Sequence, residues 1–402
     1  MSEQAEWTVL VFLNAKNNLE PFAFPNFLQM ASIGSTKEVN LVVEMGRPKT
    51  HYSASYDAWT KTLRFHIQKG TEPVEATAVK DLGETNMGDP KSLAEFVAWG
   101  QKTYPAKHTM LVIWNHGQGW RAPVDDPTAR KVEPPAGGVR YVSNDDDSGD
   151  KLYNRAIQDT LGELLAGKKL DILAFDACLM AMLESAYAFQ DIAQVMVASE
   201  ELEPGEGWNY TKWVQPLVDA RGAMTPEQLG KQIVRAMAEH YGDRGDTTLS
   251  AIALDTVPPL ATAVSRFATV ALPHLTEANL AAFKTARDTC IEYGREYGMS
   301  SIDLAHFMKQ IVASKLDPAV TTAAQDVLDR IATSVLDNHA SRSRQNRYGS
   351  NGISIYFPAS AEQKTSDADG TGYDADNTVY PVAFVEKEQW AAFLRRYWQL
   401  VP

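Results

Sequence analysis

Cysteine is nearly absent from this chain, and the scarcity limits its chemistry. Among 402 residues only Cys178 and Cys290 carry a thiol. Two thiols are too few for a disulfide framework or a structural zinc site. Long apolar runs are missing too. No stretch approaches the ~20 continuous apolar residues that span a bilayer, so no membrane attachment is expected. The first apolar run, Val9 to Leu13, is shorter than the apolar core of a signal peptide and follows no basic segment. A cytoplasmic protein is expected from the chain as written, and a secreted one if the chain has been trimmed. Positive charge is in deficit: 38 Lys and Arg stand against 51 Asp and Glu, for a net charge of −13. An acidic chain has no general attraction for nucleic acid or anionic lipid, but it does attract basic partners such as Lys- or Arg-containing peptides.

What is present reads as a globular protein, 44% apolar and 22% charged. Its length suits one large domain or two ordinary ones, each with its own core. Short apolar runs recur at Thr8–Leu13, Val39–Glu44, Met110–Trp114, Leu170–Phe175 and Val195–Ala198, and Thr62–Ile67 alternates as a strand with one wet face would. Helical segments are expected between them, at about 91–102, 153–166 and 179–190. Continuous apolar strands alternating with helices predict a parallel sheet covered on both faces. From about residue 225 the pattern turns to long amphipathic helices, at 225–241, 257–271, 277–297, 301–313, 317–337 and 386–399. Leu249–Leu254 and Gly352–Pro358 interrupt them and return either to the same sheet or to a small second one.

Two side chains stand directly after buried strands: His116, in Trp114-Asn115-His116-Gly117, and Cys178, in Asp176-Ala177-Cys178. Ligands of open parallel sheets bind at the carboxyl ends of the strands. If those two strands are neighbours, thiol and imidazole meet there. A catalytic thiol needs a base or a cation beside it, because the thiolate is the attacking species. A helix expected from Leu179 onward would add its N-terminal dipole. The N–H groups of Gly117 and Cys178 are candidate oxyanion donors. Asp176, two residues before the thiol in an extended segment, faces the same side. It either binds a cationic substrate side chain or caps the following helix. Cys290 reads as packing on a helix face.

Together these segments are similar to the clostripain family of cysteine peptidases, in the clan of caspases, legumain and gingipains. The resemblance is carried by Asn14–Glu20, Asn86–Pro90, Leu111–Trp120, Phe175–Ala181, Ala198–Trp208 and Gly352–Pro358. It implies a caspase-like α/β/α sandwich with a mainly parallel central sheet and additional C-terminal helices. Residues 1–224 would form the catalytic region. Residues 225–402 would form a helical region whose strands complete the same fold. The resemblance makes His116 the general acid/base, Cys178 the nucleophile and Gly117 an oxyanion donor. It places Asp176 in the primary specificity pocket, favouring Arg or Lys before the cut bond, with Ser199 and Glu201 lining that pocket.

The activity so implied is an endopeptidase acting on polypeptides with basic residues, without an organic cofactor. Relatives mature by cleavage between the His and Cys strands, where this chain carries Arg121, Arg130, Lys131 and Arg140, so self-cleavage there is a further expectation. The alternatives are a caspase-like signalling protease held by a partner, and a non-catalytic peptide-binding pseudo-enzyme. Calcium is an open option. Asp145, Asp146, Asp147 and Asp150 cluster, and Asp367, Asp369, Thr371 and Gly372 imitate the start of a calcium loop. Thr378 stands where such a loop needs a bidentate Glu.

Overall fold

The computed structural model describes residues 4–117, 142–294, 300–342, 350–366, 373 and 382–401. Arg121, Arg130, Lys131 and Arg140 lie outside these residues, as do Asp367, Asp369, Thr371, Gly372 and Thr378.

In chain order the strands are β1 (Ala5–Asn14), β2 (Val39–Gly46), β3 (Thr62–His66), β4 (Lys80–Asp81), β5 (Ala106–Trp114), β6 (Ser143–Asp145), β7 (Asp150–Leu152), β8 (Leu170–Asp176), β9 (Ala193–Ala198), β10 (Thr248–Ala253), β11 (Glu292–Tyr293), β12 (Ser301–Asp303), β13 (Val335–Ala340) and β14 (Ser354–Tyr356). Among the described residues, nine of them form one sheet in the order β13-β10-β9-β8-β5-β1-β2-β3-β4. The five from β2 to β9 run parallel. The pairs β3–β4 and β10–β13 extend the two edges antiparallel.

The helices named below are α1 (Glu20–Ile33), α2 (Pro90–Thr103), α3 (Asn154–Leu165), α4 (Leu183–Phe189), α5 (Tyr210–Asp219), α6 (Pro226–Tyr241), α7 (Val257–Ala271), α8 (Leu280–Asp288), α9 (Leu304–Ala313) and α10 (Pro318–Ser334). Central strands are apolar on both faces because both are covered. On β1, Val9, Val11 and Leu13 pack with α1, α5 and α6, while Leu10 and Phe12 pack with α2 and α3. This is the α/β/α sandwich that the alternation of apolar runs and helices predicts, and it resembles that of caspases. Strands β10 and β13, from the second half of the chain, hydrogen-bond into the same sheet. Gly352–Pro358 takes the other option: β14 joins β11 and β12 in a small separate sheet.

Several elements differ from the sequence pattern. Pro21 and Pro25 hide the helical signal of α1, yet Ala23, Phe24, Phe27 and Met30 bury against the sheet and hold the helix. Pro21 sits in the first turn, where its missing N–H costs nothing. Of the expected helix 277–297, the described residues 277–294 are helical only over α8, because Glu292 and Tyr293 pair with β12. Cys290 lies just past that helix, buried, with its Sγ–H donated to Ala286 O at 3.3 Å. Ser301–Asp303 is strand rather than helix, and the Asp303 carboxylate caps α9. After α10, Val335 turns into β13 to complete the sheet edge. No helix among the described residues is long and apolar enough to cross a membrane.

Candidate active site

Strands β5 and β8 are parallel neighbours, and their register sets Trp114 beside Asp176. The Asn115 N–H extends the ladder to Asp176 O at 3.3 Å. His116 and Cys178 are each two residues beyond that last pair, at the carboxyl edge of the sheet. The two chains touch there. A β-carbon on Gly117 would lie 2.2 Å from Cys178 O and 2.6 Å from Cys178 N, so only glycine fits. The backbone N–H of Gly117 favours the thiolate form of Cys178. The N–H of Glu203 reaches Sγ at 3.1 Å.

The chain does not enter a helix after Cys178, contrary to expectation. Leu179 adopts a left-handed conformation, φ 62°. Its N–H bonds Glu201 O at 3.2 Å, and that of Ala181 bonds Ser199 O at 2.8 Å. Helix α4 starts only at Leu183. The intervening residues are drawn into pairing with the loop after β9, so no helix dipole acts on the thiol. The nearby donors are single N–H groups from other segments. Asp176 does not cap α4 either. Its carboxylate accepts the Tyr210 hydroxyl at 2.9 Å and the Trp208 N–H at 3.2 Å.

Burial pulls the His116 imidazole down to about 4. Burial, and then the nearby Glu203 charge, push the Cys178 thiol up to about 12, against the opposing pull of the Glu203 and Gly117 N–H groups. Both shifts favour a neutral thiol beside a neutral imidazole. His116 Nε2 lies 2.7 Å from Asn18 Oδ1. That amide oxygen can only accept, so Nε2 carries the proton and Nδ1 is left as the base.

The thiol and imidazole open on a cleft that Asp176, Glu203, Gly205 and Gly207 also line. Burial raises Asp176 to about 6, although its bonds to Glu203, Tyr210 and Trp208 oppose the shift. Glu203 is raised well above the carboxylate range by burial and by the Asp176 charge. Two acids in one buried site share a proton rather than both ionising. Gly207 (φ 61°) presses on this floor, since a β-carbon there would come within 2.6 Å of Asp176 Oδ1. Asn26 clamps the wall, donating to Glu206 O and Trp208 O at 3.1 Å each and accepting from Trp114 Nε1 at 2.8 Å.

The expected residues thus separate. His116, Cys178 and Asp176 line one cleft, with Gly117 packed against the thiol. Ser199 and Glu201 point away from it. Ser199 Oγ bonds Glu201 O and Thr248 Oγ1, at 2.9 and 2.8 Å. Glu201 Oε1 accepts the N–H groups of Leu202 and Gly294, at 2.8 and 3.0 Å. Sequence reasoning overlooked Asn18 and Glu203. The signal for Asn18 was a strand end followed by paired asparagines. Glu203 sits in the same acidic run as Glu201, and only the loop's path distinguishes them.

Oxygens of the Asp145–Asp150 cluster are engaged locally. Asp145 accepts from Met87 N and Ser148 N, Asp147 from Lys49 N, and Asp150 from Asn86 Nδ2. No group of three or more His, Cys, Asp or Glu among the described residues is arranged to hold a metal.

Comparison with known proteins points to one family. The sequence profile of the clostripain family, peptidase family C11, matches residues 11–398. Clostripain of Hathewaya histolytica is 28% identical over 223 residues, which is 51% of this chain and 41% of clostripain's length. Thus the match spans less than half of that curated relative. Two solved structures share the fold. A secreted C11 cysteine protease from Bacteroides thetaiotaomicron, bound to an irreversible peptide inhibitor, superposes with a TM-score of 0.65 at 17% identity, covering 97% of this chain and 99% of that one. An inactive zymogen C11 protease from Parabacteroides distasonis gives a TM-score of 0.63 at 17% identity, covering 100% of both chains. At that identity the likeness speaks for the fold alone, whereas the profile spans nearly the whole sequence: the chain belongs to the clostripain family of cysteine peptidases.

Proposed function

We propose that this protein is an endopeptidase that cleaves after Arg or Lys, with Cys178 as nucleophile and His116 as general acid/base. The observation that carries the reading is the pair of acids, buried Asp176 and half-buried Glu203, lining the cleft that holds thiol and imidazole. A guanidinium or ammonium entering there meets carboxylates with little competing water. Its charge favours ionisation of both acids, and charge-assisted hydrogen bonds follow.

Because thiol and imidazole are both neutral at rest, attack and proton transfer are coupled. As Sγ bonds to the substrate carbonyl carbon, the thiol proton passes to His116. The N–H groups of Gly117 and Cys178 serve the developing oxyanion. The imidazolium then protonates the leaving amine, giving a thioester. Water, deprotonated by His116, attacks the thioester and releases the acid and the free thiol. Self-cleavage after Arg121, Arg130, Lys131 or Arg140 belongs to the same reading. The zymogen relative from Parabacteroides distasonis supports it by analogy. No organic cofactor enters this scheme, and turnover with and without a calcium chelator tests the calcium option.

Fluorogenic Arg and Lys peptides test the proposal, with Cys178→Ala as control. Asp176→Asn and Glu203→Gln are each expected to lower kcat/KM for these peptides by about tenfold or more, the loss typical of a charge-assisted hydrogen bond. A processed protein that neither turns over such peptides nor is labelled at Cys178 by an electrophile would refute it. Arg-peptide turnover unchanged in Asp176→Asn would remove the specificity assignment alone.

A further inference from the structure

Burying an amide side chain is costly unless its donors and acceptor are all engaged. Four asparagines are nevertheless buried together at the carboxyl edge of the sheet: Asn14, Asn17, Asn115 and Asn144. Their bonds converge on one atom. The backbone carbonyl of Asn144, on β6, accepts from Asn14 Nδ2 at 2.9 Å, Asn17 Nδ2 at 3.1 Å and Asn115 Nδ2 at 3.2 Å.

Two of these donors lead directly to His116. Asn115 Oδ1 accepts the His116 N–H at 2.6 Å and the Asn144 N–H at 3.4 Å, and Asn115 Nδ2 also bonds Asn14 O at 2.7 Å. Asn17 Oδ1 accepts the Leu19 N–H at 2.9 Å, and Asn17 Nδ2 also reaches Asn144 Oδ1 at 3.3 Å. The turn closed by that Leu19 bond presents Asn18 Oδ1 to His116 Nε2. One route therefore holds the histidine's main chain, and the other holds the far nitrogen of its ring. Both hang from a single carbonyl, on a strand that takes no part in the central sheet.

We propose that Asn17 and Asn115 are positioning residues for His116: anchored on the Asn144 carbonyl, they fix the ring's direction and its Nε2-protonated tautomer. This rests on the reading of His116 as the general base. Neither asparagine touches the reacting atoms. A network satisfied at every member holds one arrangement, whereas a partly satisfied one admits several. Loss of the Asn17 donors frees the turn, and Asn18 then shares Nε2 with water.

The test compares wild type with Asn17→Ala in the full chain. Two readouts are used, one of which needs no turnover. Ring-nitrogen NMR of His116 should show the Nε2-protonated tautomer in wild type and a tautomer mixture in the variant. With Arg peptides, kcat should fall by about tenfold while KM stays within about twofold, since positioning of a base acts on the chemical step. The acid limb of kcat/KM should also move up, as a more hydrated imidazole protonates more readily. Should Asn17→Ala fail to fold, Asn17→Asp, which keeps the acceptor for Leu19 and loses both donors, is read by the tautomer and by kcat, since its charge alone would move the acid limb. A single Nε2 tautomer in the folded variant, or kcat and acid limb unmoved, would overturn the proposal. An unreactive wild type, with the tautomer mixture still appearing in the variant, would instead count against the peptidase reading and leave the positioning intact.

Discussion

His116 Nε2 and Asn18 Oδ1 stand 2.7 Å apart at the rim of the cleft. The contact joins the end of β5 to the turn after β1, two parallel neighbours. An amide acceptor here holds a neutral ring, whereas a carboxylate would favour the cation.

Asn18→Ala is expected to lower kcat by about tenfold with little change in KM, the scale of a misplaced general base. Asn18→Asp should act differently. It should raise the imidazole from its present value of about 4, so the acid limb of kcat/KM shifts to higher pH. There is a stability counterpart. In the unfolded chain this histidine titrates near ~6.5, so between there and about 4 the unfolded state binds more protons. His116 therefore makes folding stability fall as pH drops through that window, and Asn18→Asp should flatten the fall. Denaturation at pH 5 and pH 7 measures it, and an unchanged difference would contradict the assignment.

Alkylation of Cys178 in the substrate-free protein should be slow at neutral pH and still rising above pH 9, because burial and Glu203 hold the thiol at about 12. A rate by iodoacetamide that plateaus below pH 7 would mean a resting thiolate–imidazolium pair instead.

Gly207→Ala places a methyl group 2.6 Å from Asp176 Oδ1 in a backbone conformation that disfavours a side chain. Turnover of basic peptides should fall by about a hundredfold, a loss on the scale of 2.7 kcal/mol. Cys178 should keep its reactivity toward a small electrophile. Loss of both would place the damage at the dyad rather than in the pocket.

Gly117→Ala puts its methyl against the Cys178 backbone, 2.2 Å from the carbonyl oxygen. Backbone does not swing aside as a long side chain does, so overpacking should cost about 1–3 kcal/mol, read by chemical denaturation. Turnover should be lost as well, since the segment carrying His116 and Gly117 is pushed away from Cys178.

Asn26→Ala removes a buried amide that makes three hydrogen bonds between α1, Trp114 and the pocket wall. Stability should fall by about 1–3 kcal/mol from the unpaired carbonyls and indole. KM for Arg peptides should rise more than kcat falls, because the wall that loosens carries Glu203 and Gly207 and not the dyad.

Much of the fold was legible because central strands buried on both faces announce themselves as apolar runs. The strand ends at Trp114 and Asp176 located the dyad for the same reason. Helix boundaries near the site were not legible. Leu179 to Met182 have helix-compatible residues, but pairing with the loop after β9 wins there. Asn18 and Glu203 escaped because their roles depend on which loop folds over which strand end.

The sequence by itself determined the sandwich, the order of its parallel strands' apolar runs, and the thiol and imidazole that follow two of those runs. Periodicity and local composition carry that information. Tertiary structure alone decided that β5 and β8 are neighbours in register, that Glu203 rather than Glu201 enters the cleft, and that no helix stands behind the thiol. Those outcomes depend on contacts between residues distant in the chain and on the loss of water around them, which no local pattern records.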